Sequence, residues 1–547
     1  MPRRVPSSLA DTSFDLIVVG AGINGAGIAR DAVMRGLRVL LLDKGDIASG
    51  TTSWSTRLIH GGLRYLEHRE VGLVRESLRE REVLMRIAPH LVRPLEFMIP
   101  IYRGDERGPR LIRLGMVAYD ALSMDKSLDR HRMLSAAQAL EREPGLNPRG
   151  LRGGAFYFDA QAEYPERLAV ENALDARRQG AVVIPYAEVQ ELMLTGNRVR
   201  GVRFRDVLAG GTHTARGALV VNAAGPWVDR LLRDLPTDHA PRIGGTKGSH
   251  LVVGPFPGAP KEALYIEADD GRPYFVVPWN GLFLIGTTDQ RYTGDLDEVV
   301  ASDEEIDYLI SETNAKIPGA GLSRESVLYT YSGVRPLPHV ADGREGGITR
   351  RHIVEDHGEE DPRIAGLLTI IGGKITTYRS LAEQTVDRVF AKLGRKSPKC
   401  RTGELPLPGG AAQDFAGFRE QFIATSGVPR PAAERLLRIY GSRAVDVIDV
   451  VADDPDLLEP LDAETGAIRA EVLFAFRSEL AQGLGDVFLR RTMVGYNSHV
   501  AIGADEAAAE VARRHLAWDE DRAREEVERY RRYIRRYRPR DLQLASA

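Results

Sequence analysis

The sequence predicts an α/β protein in which a parallel-sheet domain is interleaved with an α+β domain and followed by an all-helical C-terminal domain. Three observations predict it. A strand-helix-strand unit opens the ordered sequence, strand-like runs alternate with short helices through the middle, and the texture turns helical after the Pro/Gly stretch Leu405-Pro-Leu-Pro-Gly-Gly410. At 547 residues the chain also exceeds what one hydrophobic core accommodates, so two or three domains are expected.

Taken in order, Phe14 to Gly20 is a continuous apolar run of the kind found in buried parallel strands. Ile23 to Arg35 reads as a helix closed by Gly36, and Arg38 to Asp43 as a second buried strand, which completes one βαβ unit. A Ser/Thr/Gly loop follows from Ser49 to Thr56, then a charged helix from Val71 to Ile87 that ends before Pro89. Strand-like runs recur at Ala181 to Pro185, Ala218 to Val221, Phe275 to Val277 and Leu282 to Ile285. Leu405 to Gly410 reads as a hinge and domain boundary. Beyond it Val527, Tyr530, Ile534 and Tyr537 form an amphipathic stripe, and no internal repeat is visible.

Composition narrows the function classes. Lys plus Arg at 74 against Asp plus Glu at 77 gives a formal charge of −3, which does not suggest a nucleic-acid binder. The single cysteine, Cys400, forbids an intramolecular disulfide and any Cys-clustered metal site, and fits a reducing compartment. No apolar run approaches the ~18 residues of a spanning helix, and the basic start Met1-Pro-Arg-Arg lacks the apolar stretch of a secretory signal. A cytosolic protein, or one held at a membrane surface without crossing it, is expected.

Gly20-Ala-Gly22-Ile-Asn-Gly25 fits the G-x-G-x-x-G dinucleotide fingerprint. Gly20 permits the tight turn, Gly22 lets the backbone approach a pyrophosphate, and Gly25 allows close helix-strand packing. Asp43, 18 residues after Gly25, ends the second strand where an acid can accept from ribose hydroxyls. The bland alternative is a Gly-rich turn needed only for packing. The fingerprint does not itself separate FAD from NAD. Its N-terminal position, the adjacent Ser/Thr loop and Val220-Val-Asn-Ala-Ala-Gly225-Pro-Trp resemble flavoproteins, and no second fingerprint serves a nicotinamide.

The most unusual stretch runs from Thr51 to Glu67, where hydroxyls, Arg57, His60, Arg64, Tyr65 and the pair Gly61-Gly62 fall within seventeen residues. Arg64 offers a planar donor fork matched to phosphate oxygens; its alternative is an i,i+3 ion pair with Glu67. Later segments add Arg335 in G-x-R-P, extended by the proline after it, then Arg350, and Lys374 at a strand-to-helix Gly pair. Lys374 could instead be solvated. His250 opens an apparent strand, where a lone histidine is more often structural than catalytic, and His60 carries the same alternative.

Together these residues resemble the FAD-dependent (aerobic, respiratory) glycerol-3-phosphate dehydrogenase family. The similarity runs from about Asp15 to Arg379 and weakly beyond Leu405. It rests on the fingerprint, Leu58-Ile-His-Gly-Gly-Leu-Arg-Tyr-Leu-Glu67, Asn222-Ala-Ala-Gly-Pro-Trp227, Lys247-Gly-Ser-His250, Ile285-Gly-Thr-Thr-Asp289, Tyr331-Ser-Gly-Val-Arg-Pro-Leu337 and Gly372-Gly-Lys-Ile-Thr-Thr-Tyr378. The resemblance implies a Rossmann-like FAD domain interleaved with a substrate domain, as in the D-amino-acid-oxidase and glutathione-reductase superfamily, with a helical cap. On that pattern residues 14–95, 150–245 and 346–400 hold FAD, 96–149 and 246–345 hold substrate, and 405–547 form the cap.

It also implies oxidation of sn-glycerol 3-phosphate to dihydroxyacetone phosphate, with electrons passed to a membrane quinone. Arg64, Tyr65, His250, Arg335, Arg350 and Lys374 would line the substrate pocket. FAD would lie against Gly20, Gly22, Asn24 and Gly25, then Asp43 and Lys44. The series continues through Ser49, Thr51, Thr52, Ser53 and Arg57, through His60, Gly61 and Gly62, to Val189, Ala224, Gly225, Trp227, Gly373 and Thr376. Arg335 and Arg350 are first choices for the phosphate, with Arg64 or Lys374 as a third cation. His250 leads as general base, followed by His60 and a cation-depressed Lys374.

Two departures stand out. No D-x-D-x-D-G calcium loop follows Leu405, which brings the bacterial form nearer and leaves no metal expected, and Asp43 stands where many relatives carry Glu. Arg531 to Arg540 holds six arginines in ten residues, suited either to an anionic membrane surface or to a solvated helix face. The expected place is the cytoplasmic face of the inner membrane, peripherally bound, with room for a homodimer. The alternatives are an oxidase delivering electrons to oxygen, an amino-acid oxidase of the same superfamily, and a non-catalytic FAD-holding protein.

Overall fold

The computed structural model describes residues 5–123, 127–235, 240–341 and 347–540; the basic start at residues 1–4 lies outside them. The first sheet is built on Ser13–Val19, flanked in parallel by Val39–Leu42 and Thr212–Asn222. Val182–Ile184 extends one side, Leu367–Ile371 the other, and antiparallel Ile353–Asp356 closes that edge. Every residue of Phe14–Val19 is buried, as expected of a strand with both faces covered. Helix Ile23–Met34 follows at once and packs on Pro165–Arg178 and Tyr378–Lys392.

Two glycines of the fingerprint are fixed by sterics. Gly20 sits at φ +103°, and a Cβ there would meet the Ala223 carbonyl oxygen at 2.5 Å. A Cβ on Gly25 would stand 1.8 Å from the Gly20 oxygen, so helix and strand approach this closely only with glycine. The helix Val71–Ile87 has the expected bounds.

The second sheet is mixed and larger. It orders Gln290–Arg291, Thr246–Val253, Leu282–Gly286, Pro273–Trp279, Ala263–Glu267, Val92–Tyr102, Leu151–Ala162 and Leu58–Ile59. Val327–Arg335 pairs with Thr246–Val253 on its other side. By sheet membership, Leu58–Ile59 and Leu151–Ala162 belong here rather than with the first domain's ranges. The reason is the continuous antiparallel ladder that Leu151–Ala162 makes with Val92–Tyr102.

The helical region is not a bead on a linker. Helices Arg430–Tyr440, Ala470–Ser478, Ala504–Leu516 and Glu520–Ile534 share one apolar core with Leu328, Tyr329 and Tyr331 of the second sheet. The expected hinge at Leu405 to Gly410 is in fact a packed strap. Leu407 is buried, Arg30 donates to the carbonyls of Leu405 and Pro406, and a Cβ on Gly409 would lie 2.4 Å from His90 Nε2. Glycine serves closeness here, not mobility.

Buried ion pairs join the helical region to the domain built on the first sheet. Arg491 Nη1 and Nη2 fork onto Asp46 at 2.9 and 2.8 Å, and Arg490 joins Asp46 to Asp486. Arg167 forks onto Glu479 at 2.6 and 2.9 Å, with Arg443 adding a third contact. Although burial pushes the other way, the Arg167 and Arg443 guanidiniums hold the Glu479 carboxyl down to about 2. Its contribution to stability is therefore present above the ordinary carboxylate range and lost only as pH falls toward 2.

Removing one member of such a set strands buried charge. Asp46→Ala is expected to destabilise the protein by about 3–5 kcal/mol, seen as a lower midpoint of urea unfolding, because Arg491 loses its counter-ion and Arg490 one of its two. A loss below about 1 kcal/mol would show that water enters and replaces it.

Candidate active site

A cavity of about 750 Å³ opens at the carboxyl ends of the parallel strands, where Gly20, Asp43, Ala223 and Gly372 leave the first sheet. The second sheet supplies a wall through Gly248, His250 and Ser332 to Leu337, and the helical region closes it with Gln482 to Arg490 and Glu526 to Arg536.

The turn end is organised by backbone donors. Ala21 N–H donates to Asp43 Oδ2 at 2.6 Å and Gly45 N–H to Oδ1 at 2.8 Å, while burial pushes the carboxyl up to about 6. Each oxygen keeps a second lone pair for a ribose hydroxyl. Ile23 N–H donates to Thr52 Oγ1 at 3.1 Å, and Lys44 Nζ lies 4.1 Å over the Trp227 ring. Asn24 Oδ1, Trp227 Nε1 and His250 Nδ1 are buried without a protein partner. Buried polar atoms rarely stay unpaired, and these border one cavity, so the residues present fit a polar dinucleotide. Gly373, at φ +101°, passes so close that a Cβ would be 3.0 Å from Asn24 Nδ2.

Of the expected cofactor residues, Gly20, Gly22, Asn24, Asp43, Lys44, Ser49, Thr51, Thr52, His60, Val189, Ala224, Gly225, Trp227, Gly373 and Thr376 line this cavity. Four do not. Gly25 packs against the turn, and Ser53 points inward to the Ala48 carbonyl at 2.7 Å. Gly61 gives its N–H to the Tyr119 hydroxyl, and Gly62 holds a left-handed turn at φ +78°. Arg57 borders the cavity, but its guanidinium turns away. It is fully buried, forks onto Glu166 at 3.0 Å and lies over the rings of Trp279 and Tyr496 at 4.4 and 4.5 Å.

The cationic end is organised by a carboxylate that the sequence motif contains but its reading passed over. Asp289 accepts from Arg335 Nη1 through one oxygen and from Arg350 Nη2 through the other, both at 3.0 Å. Burial opposes its ionisation, yet the two guanidiniums hold its carboxyl below the usual range. Arg335 also donates to Thr287 Oγ1 and the Thr288 carbonyl. Its fork crosses directly over Gly248, where a Cβ would stand 2.3 Å from Nη2. The glycine in Lys247-Gly-Ser-His250 is thus the space through which Arg335 reaches its partners.

Arg64 does not line the cavity, and the alternative considered for it, a pair with Glu67, does not form either. Arg107 forks onto Glu67 instead, while Arg64 Nε is buried without a partner. Tyr65 does line the cavity, and Lys374 Nζ sits 4.5 Å over its ring and donates to Ser77 Oγ at 3.0 Å. Burial pushes the Lys374 ammonium down to about 7, although Asp159, Glu76 and Glu70 pull it up.

Both histidines are neutral at pH 7. His250 stacks on Tyr331 at 4.7 Å, shares a hydrogen bond with Thr56 Oγ1 at 2.9 Å, and is held well below the ordinary imidazole range by burial and by Arg335 and Arg57. Burial and the Lys374 charge bring His60 down to about 3. Of the three candidates for the base, Lys374 is the one whose proton affinity lies near neutrality.

Most of the arginine-rich segment is tied down by specific contacts, while Arg532 and Arg535 stand exposed as a solvated face would. Arg531 forks onto Asp505 and Glu506, Arg536 donates to the Asp297 carbonyl at 2.7 Å, and Arg538 donates to the Ala301 carbonyl at 3.1 Å. The Tyr537 carbonyl accepts from Thr330 Oγ1 at 3.2 Å. The segment straps the second sheet and brings Tyr530, Tyr533 and Arg536 into the cavity wall. The stripe at Val527, Tyr530, Ile534 and Tyr537 marked the packed face, but nothing local marked what it packs on.

Known proteins share this fold. The family model described as FAD dependent oxidoreductase matches residues 15–379, and that of the C-terminal domain of alpha-glycerophosphate oxidase matches residues 400–523. A glycerol-3-phosphate dehydrogenase of Synechocystis sp. is 45% identical over 96% of this chain and 97% of its own. A D-erythritol 1-phosphate dehydrogenase of Brucella abortus is 38% identical over 87% of this chain and 94% of its own. The crystal structure of the glycerol-3-phosphate dehydrogenase from Bacillus halodurans complexed with FAD superimposes with a TM-score of 0.80 at 30% identity, covering 97% of this chain and 96% of that one. With a cavity that fits the cofactor and matches spanning nearly its whole length, this chain belongs to the FAD-dependent glycerol-3-phosphate dehydrogenase family.

Proposed function

We propose that this protein oxidises sn-glycerol 3-phosphate to dihydroxyacetone phosphate and passes the electrons to a membrane quinone from the cytoplasmic face of the inner membrane. The observation that carries the reading is the Arg335-Asp289-Arg350 bridge beside Lys374 at one end of a cavity that fits FAD. FAD, when bound, supplies the acceptor for the hydride leaving the substrate's carbinol carbon. Two guanidiniums with one shared carboxylate leave a net positive cluster, which suits a phosphate bearing close to two negative charges.

Lys374 is the group whose proton affinity matches the task, and it takes the hydroxyl proton as the hydride leaves. His250, neutral and fixed through Thr56, keeps Nδ1 to orient the substrate hydroxyl. Tyr65 lies under the Lys374 ammonium and holds it against the cavity wall. The same bridge would hold a longer polyol phosphate, which the erythritol-phosphate relative brings into question. Among the described residues no helix is long and apolar enough to cross a membrane.

Three measurements bear on this reading. Anaerobic titration with glycerol 3-phosphate is expected to bleach the visible flavin band more completely, at lower concentration, than erythritol phosphate; no bleaching would end the assignment. Arg335→Ala should cost about 1.5–3 kcal/mol, or ~10- to 150-fold in kcat/KM, mostly through KM and with FAD retained. A change of less than about threefold would remove it as a phosphate ligand. Because a base works unprotonated, kcat/KM should rise as pH increases through about 7. Lys374→Met should abolish that limb and lower kcat by ~10²- to 10⁴-fold, and an unchanged profile would return the role to a histidine.

A further inference from the structure

Three carboxylates face the Lys374 ammonium, and water reaches them unequally. Glu70 and Glu76 are half-buried, one just before helix Val71–Ile87 and one on it, where Thr349 and Ser380 donate to them. Asp159, on Leu151–Ala162, is 1% exposed. Its Oδ1 accepts from Arg81 Nη1 at 2.6 Å and its Oδ2 from the Tyr119 hydroxyl at 2.7 Å, both partners being buried. Burial pushes the Asp159 carboxyl up, and Arg81 and Tyr119 oppose it. Arg81 also donates to Glu82 at 2.9 Å, so Asp159, Arg81 and Glu82 together carry one negative charge in excess. A carboxylate screened by water and salt acts weakly at a distance; one inside the protein does not.

Strand pairing brings this cluster to the lysine. Ile59 stands opposite Ala160 in the ladder, which sets the next peptide unit, His60-Gly61, beside Asp159. The N–H of that unit donates to the Tyr119 hydroxyl at 2.8 Å, and its carbonyl accepts from Lys374 Nζ at 3.4 Å. One peptide group therefore joins the two charges, with Tyr119 between, and hydrogen bonds linked in this way polarise one another. Thr376 Oγ1 accepts the His60 N–H at 3.2 Å and keeps the unit in place. The other groups facing Lys374 do not duplicate this. Ser77 Oγ accepts from it and Tyr65 lies under it, both neutral; His60 is neutral as well, and Arg350 acts in the opposite sense.

We infer that Asp159 is a positioning residue for the reaction, acting on Lys374 through the His60-Gly61 peptide and through its own buried charge to set the pH range in which the amine works; the inference rests on the reading of Lys374 as base. In the holoenzyme with a soluble dye as acceptor, Asp159→Asn should move the acid limb of kcat/KM from about pH 7 down by about one pH unit. The sign follows because losing a neighbouring anion favours the unprotonated amine. Asp159→Asn combined with Arg81→Gln, which strands no guanidinium, should move the limb the same way by about half a pH unit or more, and it replaces the single variant if that one does not fold. Glu76→Gln, at a half-exposed carboxylate, should move it by less than about 0.3 pH unit. Asp159→Glu, which keeps the charge, should return it to about pH 7; a limb displaced as far as in Asp159→Asn would show that packing and not charge is at work, and would overturn the inference. Because a phosphate monoester itself titrates at about pH 6, Lys374 is also read directly, by competitive acetylation of the holoenzyme with acetic anhydride across pH and mass spectrometry of its peptide. Its midpoint should fall in step with the limb. A limb that survives Lys374→Met ends the reading of Lys374 as base and the inference with it. A limb that Lys374→Met abolishes, but that Asp159→Asn moves in neither kinetics nor acetylation, overturns the inference alone.

Discussion

The structure depends on charge that is buried and paired across regions far apart in sequence. Asp46 follows closely on Asp43, which lines the cavity at the end of the second strand, and it is gripped by Arg490 and Arg491 more than four hundred residues away. Arg57 with Glu166, and Arg167 with Glu479, repeat the device. Such pairs gain little over a well-packed apolar alternative, since desolvation offsets much of the attraction. What they supply is intolerance of misregister: a guanidinium displaced by one turn would be left alone in the core. The walls of the cavity come from both sheets and from the helical region, and these pairs hold the third wall against the first.

At the opposite end Asp289 plays a different part. Two arginines aimed at one anion would repel each other whenever that anion is absent. A carboxylate shared through its two oxygens relieves the repulsion and sets the spacing of the guanidiniums before any ligand arrives. The surrounding glycines belong to the same solution. Gly248 clears the path of Arg335, and Gly286 clears that of His250, whose Cδ2 would be 2.5 Å from a Cβ there. Motifs that read as signatures are thus partly records of clearance.

Much of this was legible in the sequence because much of it is local. The βαβ unit, its glycine turn and Asp43 lie within thirty residues, and the helix Val71–Ile87 announces both of its ends. Arg57 illustrates the opposite case. It stands among the same hydroxyls as the cavity-lining residues, and only Glu166, 109 residues on, shows that it faces the core. Arg64 and Glu67 have the spacing of a pair, but Arg107 competes for the carboxylate from another element. Leu405 to Gly410 shows that glycine and proline report backbone shape without saying whether the shape serves motion or tight packing. The depressed proton affinity of Lys374 depends on burial that no spacing rule contains.

The long reach of the C-terminal strap bears on how the protein is made. Tyr530, Tyr533 and Arg536 close the cavity, yet they leave the ribosome after every other residue that lines it. During synthesis the nucleotide turn and the second sheet can form while one side still stands open. The cavity is therefore complete only once the helix Glu520–Ile534 and the turn after it have packed into place.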